Sequence, residues 1–109
     1  MARFPCPYLD GEVELSEERE RHITERHPDL LPTERRRLAE TLQEPDEIRR
    51  SVRAATARLF SRWYDDPNGR GRHVVVVVVS DVGTRQRHWI VTAYMARTLA
   101  QGEVEWRRD

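Results

Sequence analysis

Arg72-His73-Val74-Val75-Val76-Val77-Val78-Val79-Ser80 decides how the rest of the chain is read. Valine is branched at Cβ, stiff about χ1 and suited to a pleated surface, so six in a row predict a strand. The run is far shorter than the ~20 apolar residues of a membrane span. Its apolar character does not alternate, which predicts an interior strand covered on both faces.

Working outward, Asp65-Asp66-Pro67-Asn68-Gly69 before it and Asp81-Val82-Gly83-Thr84 after it have turn composition. The flanking strands are then Thr56 to Tyr64 and His88 to Met95. Asp46 to Val52, with Ile48 inward, reads as a further strand. Met95 to Gln101 reads as a short helical excursion, and Gly102 to Trp106 as a last strand. Upstream, Ser16 reads as the N-cap of a helix from Glu17 to about His27, where Pro28 disfavours α geometry. Ile23 faces inward one heptad before Leu30. Thr33 reads as the cap of a second helix through Gln43, with Leu38 and Leu42 on its buried side and Pro45 as its stop. Asp10-Gly11 predicts the turn of a small hairpin within Pro7 to Leu15.

The expected fold is α+β: two N-terminal helices packed on one face of a roughly four-stranded antiparallel sheet, in one domain over residues 1–109. Residues 1–15 form a hairpin or arm, 16–45 the helical pair and 46–106 the sheet. Hairpin-length connections favour antiparallel pairing.

The 109 residues carry 35% charged side chains, yet 19 basic and 19 acidic residues cancel. That balance argues against indiscriminate nucleic-acid binding through net charge while leaving room for a local basic patch. Arginine rather than lysine supplies the positive charge, and arginine contacts phosphate bidentately. One cysteine, Cys6, allows no internal disulfide and suits a reducing cytoplasm. The start lacks the apolar stretch of a signal peptide.

Strand alternation sorts the candidate chemistry. One row of the strand after Thr56 is Ala57, Leu59, Ser61 and Trp63; the other is Arg58, Phe60, Arg62 and Tyr64. In the later strand the rows are Trp89, Val91, Ala93, Met95 and His88, Ile90, Thr92, Tyr94. The first row of each pair is read as core-facing. The second rows then face away from the helices, and valines would floor a groove walled by Arg58, Arg62, Tyr64, His88, Thr92 and Tyr94. Guanidinium groups and rings interleaved on a sheet suit RNA, and such binding should weaken steeply with salt. The plainer alternative is that these arginines only solvate the sheet. His22 and His27 lie about 140° apart on an ideal helix, so they do not form a helical zinc pair; no metal or cofactor is expected. His27 suits a helix-end cap, and His22 is free to project as an acid or base. No phosphate loop, nucleophile elbow or dinucleotide fingerprint is present.

His22-Ile23-Thr24-Glu25-Arg26-His27-Pro28-Asp29, Thr41-Leu42-Gln43-Glu44-Pro45-Asp46-Glu47-Ile48, Phe60-Ser61-Arg62-Trp63-Tyr64, Ile90-Val91-Thr92-Ala93-Tyr94 and Gly102-Glu103-Val104-Glu105-Trp106 occur in this order. Together they resemble the phage-type barnase–EndoU–colicin–RelE-like nucleases over roughly residues 20–106. The resemblance implies metal-independent endoribonuclease activity, often in toxin systems, with RNA and an antitoxin protein as partners. By motif it implies His22 as general acid or base, Arg62 as the stabiliser of phosphate charge, Thr92 as a phosphate contact, and Tyr94 for stacking or proton transfer. Arg58, Tyr64, Arg72, His88 and His27 follow as RNA-binding candidates. The neutral charge departs from the strongly basic toxins that bind ribosomes. A non-catalytic protein- or RNA-binding module, recognising its partner through the sheet or an edge strand, is the competing reading.

Overall fold

The computed structural model describes residues 1–81, 83 and 86–109. In chain order the elements are β1 (Ala2–Cys6), a 3₁₀ turn (Pro7–Leu9), β2 (Gly11–Leu15), α1 (Glu17–Arg26), α2 (Arg35–Gln43), β3 (Glu47–Ser51), β4 (Ala57–Asp65), β5 (Gly71–Asp81), β6 (Arg87–Ala96) and β7 (Gly102–Arg107). All seven strands join one sheet in the order β1-β2-β6-β5-β4-β3-β7.

This corrects the expected architecture. The helices do not open the chain but follow two strands, and the sheet has seven strands rather than about four. It is also mixed, because β2 runs parallel to β6 through the pair Glu14 and Trp89. A hairpin does form at the N-terminus, but its turn is the 3₁₀ turn, and Asp10 takes the left-handed conformation at φ 55°. The hairpin is no free arm: Phe4, Cys6, Val13 and Leu15 are buried in the common core. Burial pushes the Cys6 thiol up from its ordinary range.

The valine run forms β5, antiparallel to β4 and β6. Val74, Val76 and Val78 point into a core that also holds Ile23 of α1, Leu38 and Leu42 of α2, and Leu30 and Leu31 between them. Both helices therefore cover the same face, here the covered face. Ser16 caps α1 by accepting from the Arg19 backbone N–H, and Glu17, Glu18 and Glu20 lie in the first turn, where the helix dipole favours negative charge. The second helix starts at Arg35, later than a Thr33 cap predicts, and no side chain caps it.

The opposite, second face is only partly covered. Because β6 and β7 are separated by three strands, their connection must cross the sheet, and it does so on this face. Leu99 lies near Ser61 and His73, and the Ala100 carbonyl accepts from Arg49 Nη1 at 2.9 Å. This crossing replaces the expected helical excursion after Met95. The turn read at Asp81 to Thr84 falls partly outside the described residues; within it, the Gly83 N–H donates to Asp81 Oδ1 at 3.1 Å. Among the described residues no helix is long and apolar enough to cross a membrane.

Candidate functional site

The row of β4 expected to face outward faces the core. Phe60 is fully buried, T-shaped against Tyr8 at 6.1 Å, and its row carries Arg58, Arg62 and Tyr64 to the covered face. Each finds partners there. Arg58 Nε donates to Glu105 Oε2 at 2.8 Å, and the same carboxylate also accepts from Arg50 and from the Tyr8 hydroxyl. Burial alone would raise the Glu105 carboxyl, but the donors Tyr8 and Arg58 outweigh it and hold it below the usual carboxylate range. Arg62 Nη1 donates to the Glu44 carbonyl at 2.9 Å. The Tyr64 hydroxyl donates to Glu40 Oε1 at 2.7 Å under the Arg37 guanidinium. Burial, and then the Glu40 carboxylate, push that phenol up to about 12.

In β6 no single parity holds. Pairing with β5 slips between Val77 and Val78, so that Val78 faces Ile90 while Val77 faces Thr92. Val91 is the extra residue of a bulge, and a bulge re-aims the side chains on either side of it. Before it, His88 and Ile90 are buried on the covered face; after it, Ala93 is buried there and Met95 packs against the same core. His88 Nδ1 lies 2.7 Å from Ser80 Oγ, and burial depresses its pKa. Beyond the bulge, Thr92 and Tyr94 turn to the second face.

On that face Thr92 and Tyr94 line a groove of about 640 Å³ whose floor includes Leu59, Val77 and Val79. Ser51, Arg53 and Gln101 add polar groups to its lining. The His27 ring, half-buried at the C-cap of α1, lies 6.0 Å from the Tyr94 ring at 42°. Burial pushes the Tyr94 phenol up, with the nearby Arg53 charge opposing. Among the described residues no carboxylate lines the groove, and the oxygens there do not suit a hard divalent cation.

The expected triad of His22, Arg62 and Thr92 therefore does not converge. His22 is exposed on α1. Arg62 and Thr92 lie on opposite faces of the sheet. Arg72 joins Asp29 at 3.2 Å, and Arg58, Tyr64 and His88 are engaged on the covered face. The groove keeps its valine floor but loses four of its six expected walls. Of the nine nominated residues the structure brings two, Thr92 and Tyr94, to the groove's lining, and it sets the His27 ring 6.0 Å from that of Tyr94. Arg53 joins them unannounced, since it lies in the β3–β4 connection where no strand alternation nominates it.

No family model, curated protein or solved structure matches this chain.

Proposed function

We propose that the chain is a metal-independent endoribonuclease of the cytoplasm, acting at the groove on the second face. The observation that carries this reading is that Tyr94, Thr92 and Arg53 line one open depression and the His27 ring lies 6.0 Å from that of Tyr94. The motif resemblance favours ribonuclease chemistry, through Thr92 and Tyr94 but not through its His22 and Arg62, and suggests the toxin half of a phage-derived pair, with an antitoxin as partner.

In the reaction, the RNA 2′-oxygen attacks the adjacent phosphorus and the bond to the 5′-oxygen breaks. The products are a 2′,3′-cyclic phosphate and a 5′-hydroxyl end. His27 takes the proton of the 2′-hydroxyl on a ring nitrogen, the commonest side-chain group for such a transfer. Tyr94, kept protonated by burial, gives its proton to the departing 5′-oxygen. Arg53 and Thr92 bind the non-bridging oxygens, where charge gathers. Arg58, Arg62 and Arg72 are committed elsewhere, so RNA is held mainly through its bases on the aliphatic floor. The salt dependence is accordingly shallow, about −0.7 in log K per log salt for one phosphate contact on a single strand.

The test is incubation of the purified protein with total RNA in EDTA, followed by mapping of the cleaved ends. His27→Ala and Tyr94→Phe should each slow cleavage by about 10²–10⁴-fold, the usual contribution of a positioned acid or base. His22→Ala and Arg62→Ala should cleave like wild type. Wild-type protein that yields no cyclic phosphate ends excludes the enzyme.

A second reading, a non-catalytic module, is favoured by one observation. The groove is mostly aliphatic, and Val52 at its margin is 71% exposed. On that reading the face holds RNA bases or a partner's apolar segment, and His27→Ala leaves binding unchanged.

A further inference from the structure

Two walls of the second-face groove spring from one rung of the sheet. β3 ends at Ser51 and β7 begins at Gly102, and these two residues pair. Past Ser51 the chain lines the groove with Arg53 and Ala54, and ahead of Gly102 it does so with Ala100 and Gln101. Arg49 and Arg50, the last residues of β3 before Ser51, do not line the groove, yet each reaches one of these walls. Arg49 Nη1 donates to the Ala100 carbonyl of the crossing segment at 2.9 Å. Arg50 Nη1 donates to the Ala55 carbonyl of the β3–β4 connection at 2.7 Å. Neighbours on a strand leave it on opposite faces, which lets adjacent arginines serve different walls. Both heads are anchored in turn. Arg49 Nε donates to Glu47 Oε2 at 2.7 Å, while Arg107 Nη2 holds the other oxygen of that buried carboxylate at 2.8 Å. Arg50 is tied to Glu105, which Arg58 also holds. At Gly102 a Cβ would stand 2.5 Å from the Arg50 carbonyl oxygen, so the crossing segment enters β7 where only glycine fits without a shift.

We propose that Arg49 and Arg50 are positioning residues for the groove. Arg49 fixes the crossing segment as a wall and so sets how tightly RNA is held, whereas Arg50 fixes the connection carrying Arg53 and so sets the rate of the chemical step. Residues 97–101 and 52–56 lie outside the strands, so no ladder of backbone bonds holds them. A charge-assisted hydrogen bond from an anchored guanidinium then decides where each segment sits. Ala100 and Gln101 meet the RNA alike before and during reaction, and a contact of that kind changes KM alone. Arg53 meets charge that gathers on the phosphate oxygens only in the transition state, and its displacement changes kcat. The kinetic roles rest on the ribonuclease reading of the groove; the fixing of its walls does not.

The experiment pairs ¹⁵N backbone relaxation of the full chain with steady-state cleavage of a single-stranded RNA oligomer. In wild type the order parameters of Ala100, Gln101, Arg53 and Ala54 should lie near the rigid value of about 0.85. Arg49→Met keeps the apolar stem without a donor, and should lower Ala100 and Gln101 toward about 0.6 while sparing Arg53 and Ala54. Arg50→Met should do the reverse. In cleavage, Arg49→Met should raise KM about tenfold, the worth of one hydrogen bond to a charged group, with kcat within about twofold. Arg50→Met should lower kcat about tenfold with KM within about twofold. Arg49→Lys restores a donor, and should bring KM back to within about threefold of wild type. Mobile walls in wild type overturn the proposal without any variant, as do walls that stay rigid in both methionine variants. Equal changes of KM and kcat in the two variants overturn it too. A wild type that yields no cyclic phosphate ends sinks the ribonuclease reading and the kinetic roles with it, while the relaxation data still decide whether the two arginines fix the walls.

Discussion

The two faces of the sheet are built from the same strands and do different work. Under the helices, Phe60, Val74, Val76, Val78 and Ile90 are closed off from water, and each arginine that enters this side ends on a carboxylate or a carbonyl. On the second face, Val77, Val79 and Thr92 are half exposed under a single crossing segment. Charged side chains are therefore no sign of an exposed face here. Arginine carries a long apolar stem that packs while its head reaches a partner, and on the covered face the heads are spent on structure. The second face carries charges of its own, with Arg49 and Arg107 ending on Glu47 and Arg87 on Glu14.

Four measurements sharpen or break this contrast. The largest effect is expected at neighbouring positions of β4. Phe60→Ala should cost about 3–5 kcal/mol in urea unfolding, from lost burial and the cavity left behind. Leu59→Ala, on the second face, should cost only about 1 kcal/mol. Similar costs at the two positions would show that the faces are equally buried. Next, Glu105→Ala leaves the part-exposed Arg58 and Arg50 guanidinium groups without their carboxylate, and should cost about 1–2 kcal/mol after solvent screening.

The third measurement is pH. The folded pKa of Glu105 lies below its unfolded value, so its contribution is complete above the ordinary carboxylate range and fades as acid protonates the folded protein. The folded pKa of Tyr64 is raised to about 12, so its contribution is complete below the ordinary phenol range near 10 and is lost as pH climbs toward 12. Thermal melts of Tyr64→Phe should be flatter than wild type across that alkaline window, and unchanged curvature would contradict the buried phenol. Last and smallest, Thr92→Val should leave stability within about 0.5 kcal/mol while lowering RNA cleavage, as a substitution on an open face should. A loss of several kcal/mol would mean that Thr92 belongs to the core.

Much of the order along the chain was legible because its signals are local. The valines, the Ser16 cap, Pro28 and the Asp65–Gly69 turn all act within a few residues, and β5 and α1 form where they indicate. The face assignment in β4 was legible in principle but was misread. Phe60 is the largest apolar residue of its row, against Ser61 in the other, yet the arginines beside it drew the row outward. In β6 no rule of alternation would have served, because the Val91 bulge lets Ile90 and Ala93 share one face. The candidate site is the least legible part: alternation and motif both nominate Thr92 and Tyr94, His27 reads as a helix cap or an RNA contact, and Arg53 carries no local signal.

By itself the sequence determined β5, its two neighbouring strands and α1, because β-branching, capping and proline geometry are properties of neighbours along the chain. Only the tertiary structure decided that the N-terminal hairpin completes a mixed seven-stranded sheet, which face of each strand is covered, and which imidazole meets Tyr94. Those outcomes depend on strand pairing between distant residues and on one slip of register, and the energy of such pairings is not written at any single position.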